Sequence, residues 1–415
     1  MKYLLLVPDG MADYPVAALS GRTPLEAAAT PHMDTLARTG RCGTLLTVPE
    51  GMPAGSAVAN LSLLGYDPRR TFNGRGVLEA ASMGVALDED DVAPRCNTIC
   101  LRDGRIKNHS AGHISTEEAA QLIQALATEL GTPDVAFVRG VSYRHLLVLR
   151  RRFSPSVTCV PPHDAVGTAV DDILPKARVP EAQDTVRLLH HLIARSRELL
   201  PAHPVNQRRR AIGHDPANCM WPWSPGRKPR MATFQEQFGI RGAVISAVDL
   251  IKGIGVYAGF TPISVEGATG LYTTNYEGKA AACLQALQQH DLVWVHVEAP
   301  DEAGHEQDLQ LKLRCIEDFD RRLVGPILKG LATETIPVTI AVAPDHRTPL
   351  SVGTHTAEEV PFLIREPRQS PDSVVRFGER AALQGSLGQL DGRGFLAAFL
   401  GEVALSHPGM PEEDT

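Results

Sequence analysis

Three short apolar runs, none of them alternating, constrain this chain more than any other feature. They are Leu4 to Val7, Leu292 to Val297 and Val338 to Ala343, and each is followed within a few residues by an aspartate: Asp9, Asp301 and Asp345. A strand that is apolar on both faces is covered on both faces, which is the condition of a central parallel strand in an α/β sheet. Side chains just past the carboxyl ends of such strands collect along one edge, where open α/β sheets place their ligand sites. The expected fold is therefore α/β, with a mostly parallel sheet flanked by helices.

At 415 residues the chain is long for a single core and suggests two domains. The α/β texture covers residues 1–85 and returns over 236–415, with strands also expected at Gly43 to Val48, Gly242 to Val248 and Phe362 to Ile364. Helical pieces are expected at Thr23 to Ala29, Pro31 to Ala37, Ala57 to Leu64, Gly278 to Gln289, Asp308 to Leu331 and Gly394 to Leu400. Between the two stretches, residues 86–235 read as an inserted α+β domain. It has a hairpin around Arg102-Asp-Gly-Arg105, a capping box at Ser115-Thr-Glu-Glu118 opening a helix to Leu130, and an amphipathic helix over Glu181 to Leu200. Strands are expected there at Ala136 to Val138 and Leu146 to Arg150. Its exit, Pro201 to Pro229, is rich in proline and carries Trp221 and Trp223, which favours a functional lid over a plain linker. The acidic end, Glu412 to Thr415, is expected to fray.

A formal net charge of −7, with 43% hydrophobic and 21% charged residues, describes an ordinary globular protein with nothing global to attract nucleic acid or an anionic membrane. The basic triplets Arg150 to Arg152 and Arg208 to Arg210 suit solvated surface or a small anionic substrate. Seven scattered cysteines without a C-x-x-C pair point to reduced, mostly buried thiols and a cytoplasmic setting. The opening run of five apolar residues before Pro8 is too short for a signal peptide or a membrane span.

The chemistry gathers at the strand ends. Asp9, Asp301, His305, Asp345, His346 and His355 together supply three carboxylates and three imidazoles, a donor set suited to first-row divalent ions. With Ser56 added they suffice for two ions, and two ions roughly 4 Å apart suit an in-line displacement. Ser56 stands in a Gly-rich turn opening a helix, where a metal-activated hydroxyl becomes a nucleophile. Phosphoryl or sulfuryl transfer is the implied reaction.

Val7-Pro-Asp9-Gly, Gly55-Ser56 with Asn60 to Pro68, Asp301-x-x-x-His305, Asp345-His346 and Gly353-x-His355-Thr resemble, in that order, the alkaline phosphatase superfamily. Within it the chain is similar to the cofactor-independent phosphoglycerate mutases of the branch typical of archaea and some bacteria. The resemblance implies an alkaline-phosphatase-like domain, a phosphoserine intermediate at Ser56, and a cap domain that binds substrate. Asp301, His305 and His355 would hold one ion; Asp9, Ser56, Asp345 and His346 would hold the other. Manganese is expected first, with zinc, cobalt or magnesium as alternatives, and no 2,3-bisphosphoglycerate. His109, Arg139, Arg144, His163, Asp164 and Lys252 resemble the family's substrate-binding positions, with His109 or Asp164 moving protons on a small phosphorylated hydroxy acid. Ala57 stands where the family usually has an acidic residue, and His113 where archaeal members often carry arginine. A homoserine kinase-like phosphotransferase, a phosphatase, or a relative without activity are the alternatives. Oligomeric state has no signature in the sequence.

Overall fold

In the computed structural model, residues 1–333, 336–401 and 403 are described, so the acidic end at Glu412 to Thr415 lies outside the described residues. In chain order the strands are β1 (Lys2–Pro8), β2 (Arg41–Leu46), β3 (Arg95–Arg102), β4 (Arg105–Asn108), β5 (Val135–Val138), β6 (Arg144–Leu149), β7 (Val157–Thr158) and β8 (Lys176–Ala177). They continue as β9 (Cys219–Trp223), β10 (Gly242–Ile245), β11 (Thr261–Ile263), β12 (Leu292–Val297), β13 (Val338–Val342), β14 (Val360–Arg365) and β15 (Gly388–Asp391).

The three non-alternating apolar runs become β12, β1 and β13, adjacent and parallel at the middle of an eight-stranded sheet ordered β11-β10-β12-β1-β13-β14-β2-β15. Only β14 runs against its neighbours. Leu4, Leu6, Val293, Val295, Ile340 and Val342 share one core with side chains of the flanking helices, among them Cys283, Phe319 and Leu323. The fold is thus α/β with a mostly parallel, helix-flanked sheet. β11 and β15 went unseen in the sequence because edge strands of polar or proline-bearing composition carry no apolar run.

The chain divides into two compact units, Met1–Phe72 with Arg230–Thr415, and Asn73–Pro229. These junctions compare with the 85/86 and 235/236 expected from texture. Helix Arg75–Ser82 falls in the second unit because its start is tied there: the Arg75 N–H donates to Ser224 Oγ (3.0 Å), and Gly76 sits against the Ala93 carbonyl where a Cβ would not fit.

The second unit holds a sheet ordered β4-β3-β6-β5, with β9 also pairing β3. Helices Thr116–Leu130 and Gln183–Leu199 close a separate core around Leu122, Leu126, Leu189 and Leu192. Ser115 caps the first of them, its hydroxyl accepting the Glu118 N–H.

Two expectations fail here. The Pro-rich exit is not irregular: it forms helix Pro204–Ala211 and then β9, with Trp221 0% and Trp223 4% exposed. Prolines read as irregularity, yet Pro222 is tolerated because β9 pairs only with β3. The single helix expected over Asp308 to Leu331 is instead Leu309–Asp318, a π-helical stretch Phe319–Val324, and helix Gly325–Leu331. Pro326 cannot donate to the carbonyl one turn back, and the wider turn lies just ahead of it. All seven thiols are unpaired and, Cys159 apart, buried. Among the described residues, no helix is long and apolar enough to cross a membrane.

Candidate functional site

The parallel strands deliver their polar termini to one edge of the first unit's sheet. Asp9 follows β1 directly, Asp345 and His346 follow β13, and Asp301 and His305 lie in the short helix Ala299–His305 after β12. Asp301 and His305 are thus one helical turn apart on one face. His355 is the exception to the strand-end pattern. It precedes β14, which reaches the same edge because it runs antiparallel. Ser56 opens helix Ser56–Leu63 behind Gly55.

These side chains converge. Ser56 Oγ lies 3.1 Å from His346 Nε2 and 3.5 Å from Asp9 Oδ2. His346 Nε2 is 3.2 Å from Asp9 Oδ1 and 3.6 Å from Asp345 Oδ2. On the other side, His305 Nε2 is 3.2 Å from Asp301 Oδ2, His355 Nε2 is 3.4 Å from Asp301 Oδ1, and the two Nε2 atoms face each other at 2.9 Å. Two overlapping groups have ligand atoms within 4.8 Å of one another: Asp301, His346 and His355; and Asp9, Asp345 and His346. His346 therefore reaches both halves, whereas family resemblance alone places it in one.

Close packing makes this approach possible. Gly10 adopts φ +60° at the end of β1, and a Cβ there would meet Asp301 Oδ1 at 2.6 Å and Thr348 Oγ1 at 2.5 Å. Asp345 is fixed through both oxygens: Oδ1 accepts N–H bonds from Gly10 (3.1 Å) and His346 (2.9 Å), and Oδ2 accepts from Asn60 Nδ2 (2.7 Å). Asn60, one turn after Ser56 on its helix, also donates to the Ser56 carbonyl (2.9 Å), so Ser56 and the Asp345 carboxylate are set from one side chain.

The electrostatics call for a cation. Burial, then the charges of Asp345 and Asp301, push the Asp9 carboxyl well above its ordinary range, and Asp9 Oδ1, though 3.2 Å from His346 Nε2, accepts no hydrogen bond among the described residues. Burial opposes ionisation of Asp301 too, but hydrogen bonds from His305 and His355 outweigh it and hold Asp301 well below the usual range. Its carboxylate in turn raises His305 to about 9. His305 Nδ1 faces the Gly353 carbonyl at 3.0 Å, and a carbonyl only accepts, so this nitrogen carries a proton. A divalent ion at the Nε2 side would take the place of the second proton. Buried carboxylates, an imidazole oriented by a carbonyl, and an orphaned oxygen fit first-row divalent ions.

The sequence reading passed over three members of this centre. His296 sat inside an apolar run, yet its buried Nε2 lies 3.0 Å from Asp9 Oδ2, and burial holds its pKa down to about 3. A histidine within a doubly covered strand was the available signal. Thr348 Oγ1 donates to Asp301 Oδ1 at 2.5 Å, and Asn60 has the role given above. Neither side chain is distinctive in sequence.

The expected substrate-binding residues divide between the units. Lys252, in helix Asp249–Tyr257 of the first unit, pairs with Asp249 at 3.6 Å and is not part of the metal-ligand cluster. In the second unit, His109 follows β4, and its ring meets Tyr143 at 5.8 Å and His163 at 6.1 Å between centroids. His163 pairs with its neighbour Asp164 at 3.6 Å, and the Arg144 guanidinium lies 5.7 Å from the Tyr143 ring. Arg139 stands exposed just past β5.

Comparison with known proteins gives a consistent picture. A family profile described as 2,3-bisphosphoglycerate-independent phosphoglycerate mutase matches residues 37–206. A 2,3-bisphosphoglycerate-independent phosphoglycerate mutase of Methanosarcina barkeri is 51% identical over 389 residues, 94% of this chain and 96% of the relative. A probable enzyme of the same name from Geobacter sulfurreducens is 50% identical, over 94% of this chain and 98% of its own. Among solved structures, a protein from Pyrococcus horikoshii superposes with TM-score 0.83 at 32% identity over 99% of both chains. A cofactor-independent phosphoglycerate mutase from Thermoplasma acidophilum does so with TM-score 0.69 at 27% identity, covering 97% of this chain and 100% of that one.

Proposed function

Because the chain belongs to the 2,3-bisphosphoglycerate-independent phosphoglycerate mutase family, we propose that it interconverts 2-phosphoglycerate and 3-phosphoglycerate through a phosphoserine at Ser56. The observation that carries this is the approach of Ser56 Oγ to His346 and Asp9 at the rim of a buried carboxylate–imidazole cluster.

Asp301, His305 and His355 would hold one divalent ion, and Asp9, Ser56, Asp345 and His346 the other, with manganese favoured over zinc, cobalt or magnesium. When bound, such ions neutralise phosphoryl oxygens and lower the pKa of a coordinated hydroxyl. Ser56 supplies, as its alkoxide, the oxygen that bonds to phosphorus as the ester bond to the glycerate oxygen breaks, and leaves as the alkoxide again on the return step. The freed glycerate hydroxyl takes up a proton, and on the return step the other hydroxyl gives one up as it attacks phosphoserine. His109 and Asp164 of the second unit are the groups to exchange these protons, with Arg139, Arg144, His163 and Lys252 binding the substrate's anionic ends.

The test is a mutase assay with manganese present and 2,3-bisphosphoglycerate absent, with peptide mass spectrometry after substrate incubation. Phosphate on Ser56 and loss of turnover in Ser56→Ala are expected. A folded, manganese-loaded chain with no mutase activity would overturn the reading.

A further inference from the structure

The second unit contains a cluster of positive charge that the sequence did not single out. Arg95, on β3, is 7% exposed and pairs with Glu79 at 3.1 Å. Arg75 opens helix Arg75–Ser82. Both guanidinium groups lie over the indole of Trp223, Arg95 at 4.9 Å and Arg75 at 6.0 Å from the ring centroid. His163 packs on the same indole at 5.4 Å, and His109 meets His163 at 6.1 Å.

Two features mark these arginines. The Nε atoms of both Arg75 and Arg95 are buried and have no hydrogen-bond partner. Arg209 of the same unit shows the contrast with Arg95: it too is buried, but Nε donates to the Asp215 carbonyl (2.9 Å), one amino group to the Ala111 carbonyl (2.8 Å), and the other pairs with Glu118. The charge is also lopsided. After burial, Arg95 feels Glu79 in its favour and the like charges of Arg75 and Arg144 against it. Burial and then the surrounding cations keep His109 low, and for His163 Arg75 and Arg95 oppose the help from Asp164. Unsatisfied guanidinium donors held together on an aromatic floor are the arrangement that receives an oxyanion.

We propose that Arg75 and Arg95, laid over Trp223 and flanked by His163, form a subsite that holds the carboxylate of the substrate. This rests on the mutase reading, in which the phosphoryl group travels to and from Ser56 while the glycerate carboxylate keeps its charge throughout. A fixed anchor belongs on the group that does not react. The guanidinium fork matches the planar carboxylate in two parallel hydrogen bonds, which a lysine cannot reproduce. Trp223 is the platform on which the two guanidinium groups lie.

Arg75→Gln is the decisive variant, because it is the main-chain N–H of Arg75 that ties it to Ser224. Arg95→Lys is the companion, retaining charge near Glu79. In the full manganese-loaded chain, Arg75→Gln should raise KM for 3-phosphoglycerate about tenfold or more, with a smaller change in kcat. Calorimetric titration with D-glycerate, which has the carboxylate and no phosphoryl group, should weaken in parallel, while inorganic phosphate and manganese bind as in the parent. A KM change below about twofold in both variants overturns the subsite. Loss of phosphate binding with glycerate binding intact overturns its assignment to carboxylate. If the parent shows no mutase activity but Arg75→Gln still loses glycerate affinity, the mutase reading fails and the subsite stands.

Discussion

Asp301 shows how much one residue is made to carry. Its carboxylate faces His305 and His355 and accepts the Thr348 hydroxyl, and its backbone lies against Gly10. Thr348 is in turn held by Lys312, whose buried ammonium donates to the Thr348 carbonyl and to Asp13 at 2.7 Å each. Groups that orient a ligand in this way typically alter metal affinity by about 10- to 100-fold when removed. Thr348→Val, which keeps the shape and deletes the hydroxyl, should weaken manganese binding by that order in calorimetric titration, and Thr348→Ser should restore it. Equal affinities in the valine and serine variants would rule out the hydroxyl's role. His305→Ala should abolish turnover while leaving far-UV circular dichroism and the melting temperature near the parent's, since the side chain is one-third exposed at 34%. A large fall in melting temperature would mark His305 as structural. The sequence exposed Asp301 and His305 because their spacing is regular. It hid Thr348 and Asn60 because a hydroxyl or amide acquires such a role only when the fold brings it alongside a carboxylate.

At the scale of elements, the three central apolar runs translated into strands almost residue for residue, since short apolar runs of this kind fit a strand covered on both faces. The failures came where one element depends on another. The π-helical stretch Phe319–Val324 carries Asp320, fully buried, whose oxygens accept the N–H groups of His32 (3.2 Å) and Met33 (2.7 Å) at the start of helix Pro31–Arg38. That helix has no side-chain cap of its own at Thr30, so its N-terminal donors are satisfied from 288 residues away. No local pattern can reveal such a cap. Asp320→Ala should cost about 1–3 kcal/mol in urea unfolding, the penalty for stranding buried donors. A change under about 0.5 kcal/mol, the range of ordinary surface substitutions, would count against this capping role. β9 teaches the same lesson in reverse. Its proline and tryptophans looked irregular, yet pairing with β3 makes them part of a sheet.

Across the whole molecule, the presumed metal ligands run from Asp9 to His355, and all of them belong to the first unit. The segment Asn73–Pro229 is inserted between them with its own core and enters and leaves through neighbouring points, Gly226 lying directly against the Asn73 carbonyl. Such an insertion can fold without the unit that carries it. Metal binding should therefore stabilise one unit only, because a ligand stabilises what it binds in the native state. At about a hundredfold excess over its dissociation constant, manganese should add about 2.7 kcal/mol to the unfolding of the first unit. In calorimetry of the full chain, a transition should rise with added manganese and fall on chelation. A fragment comprising residues 73–229 should melt cooperatively at a temperature that manganese does not move. A fragment that melts without cooperativity would show that the inserted unit depends on its host. One that manganese stabilises as strongly as the full chain would place the metal ligands elsewhere than the edge of the large sheet.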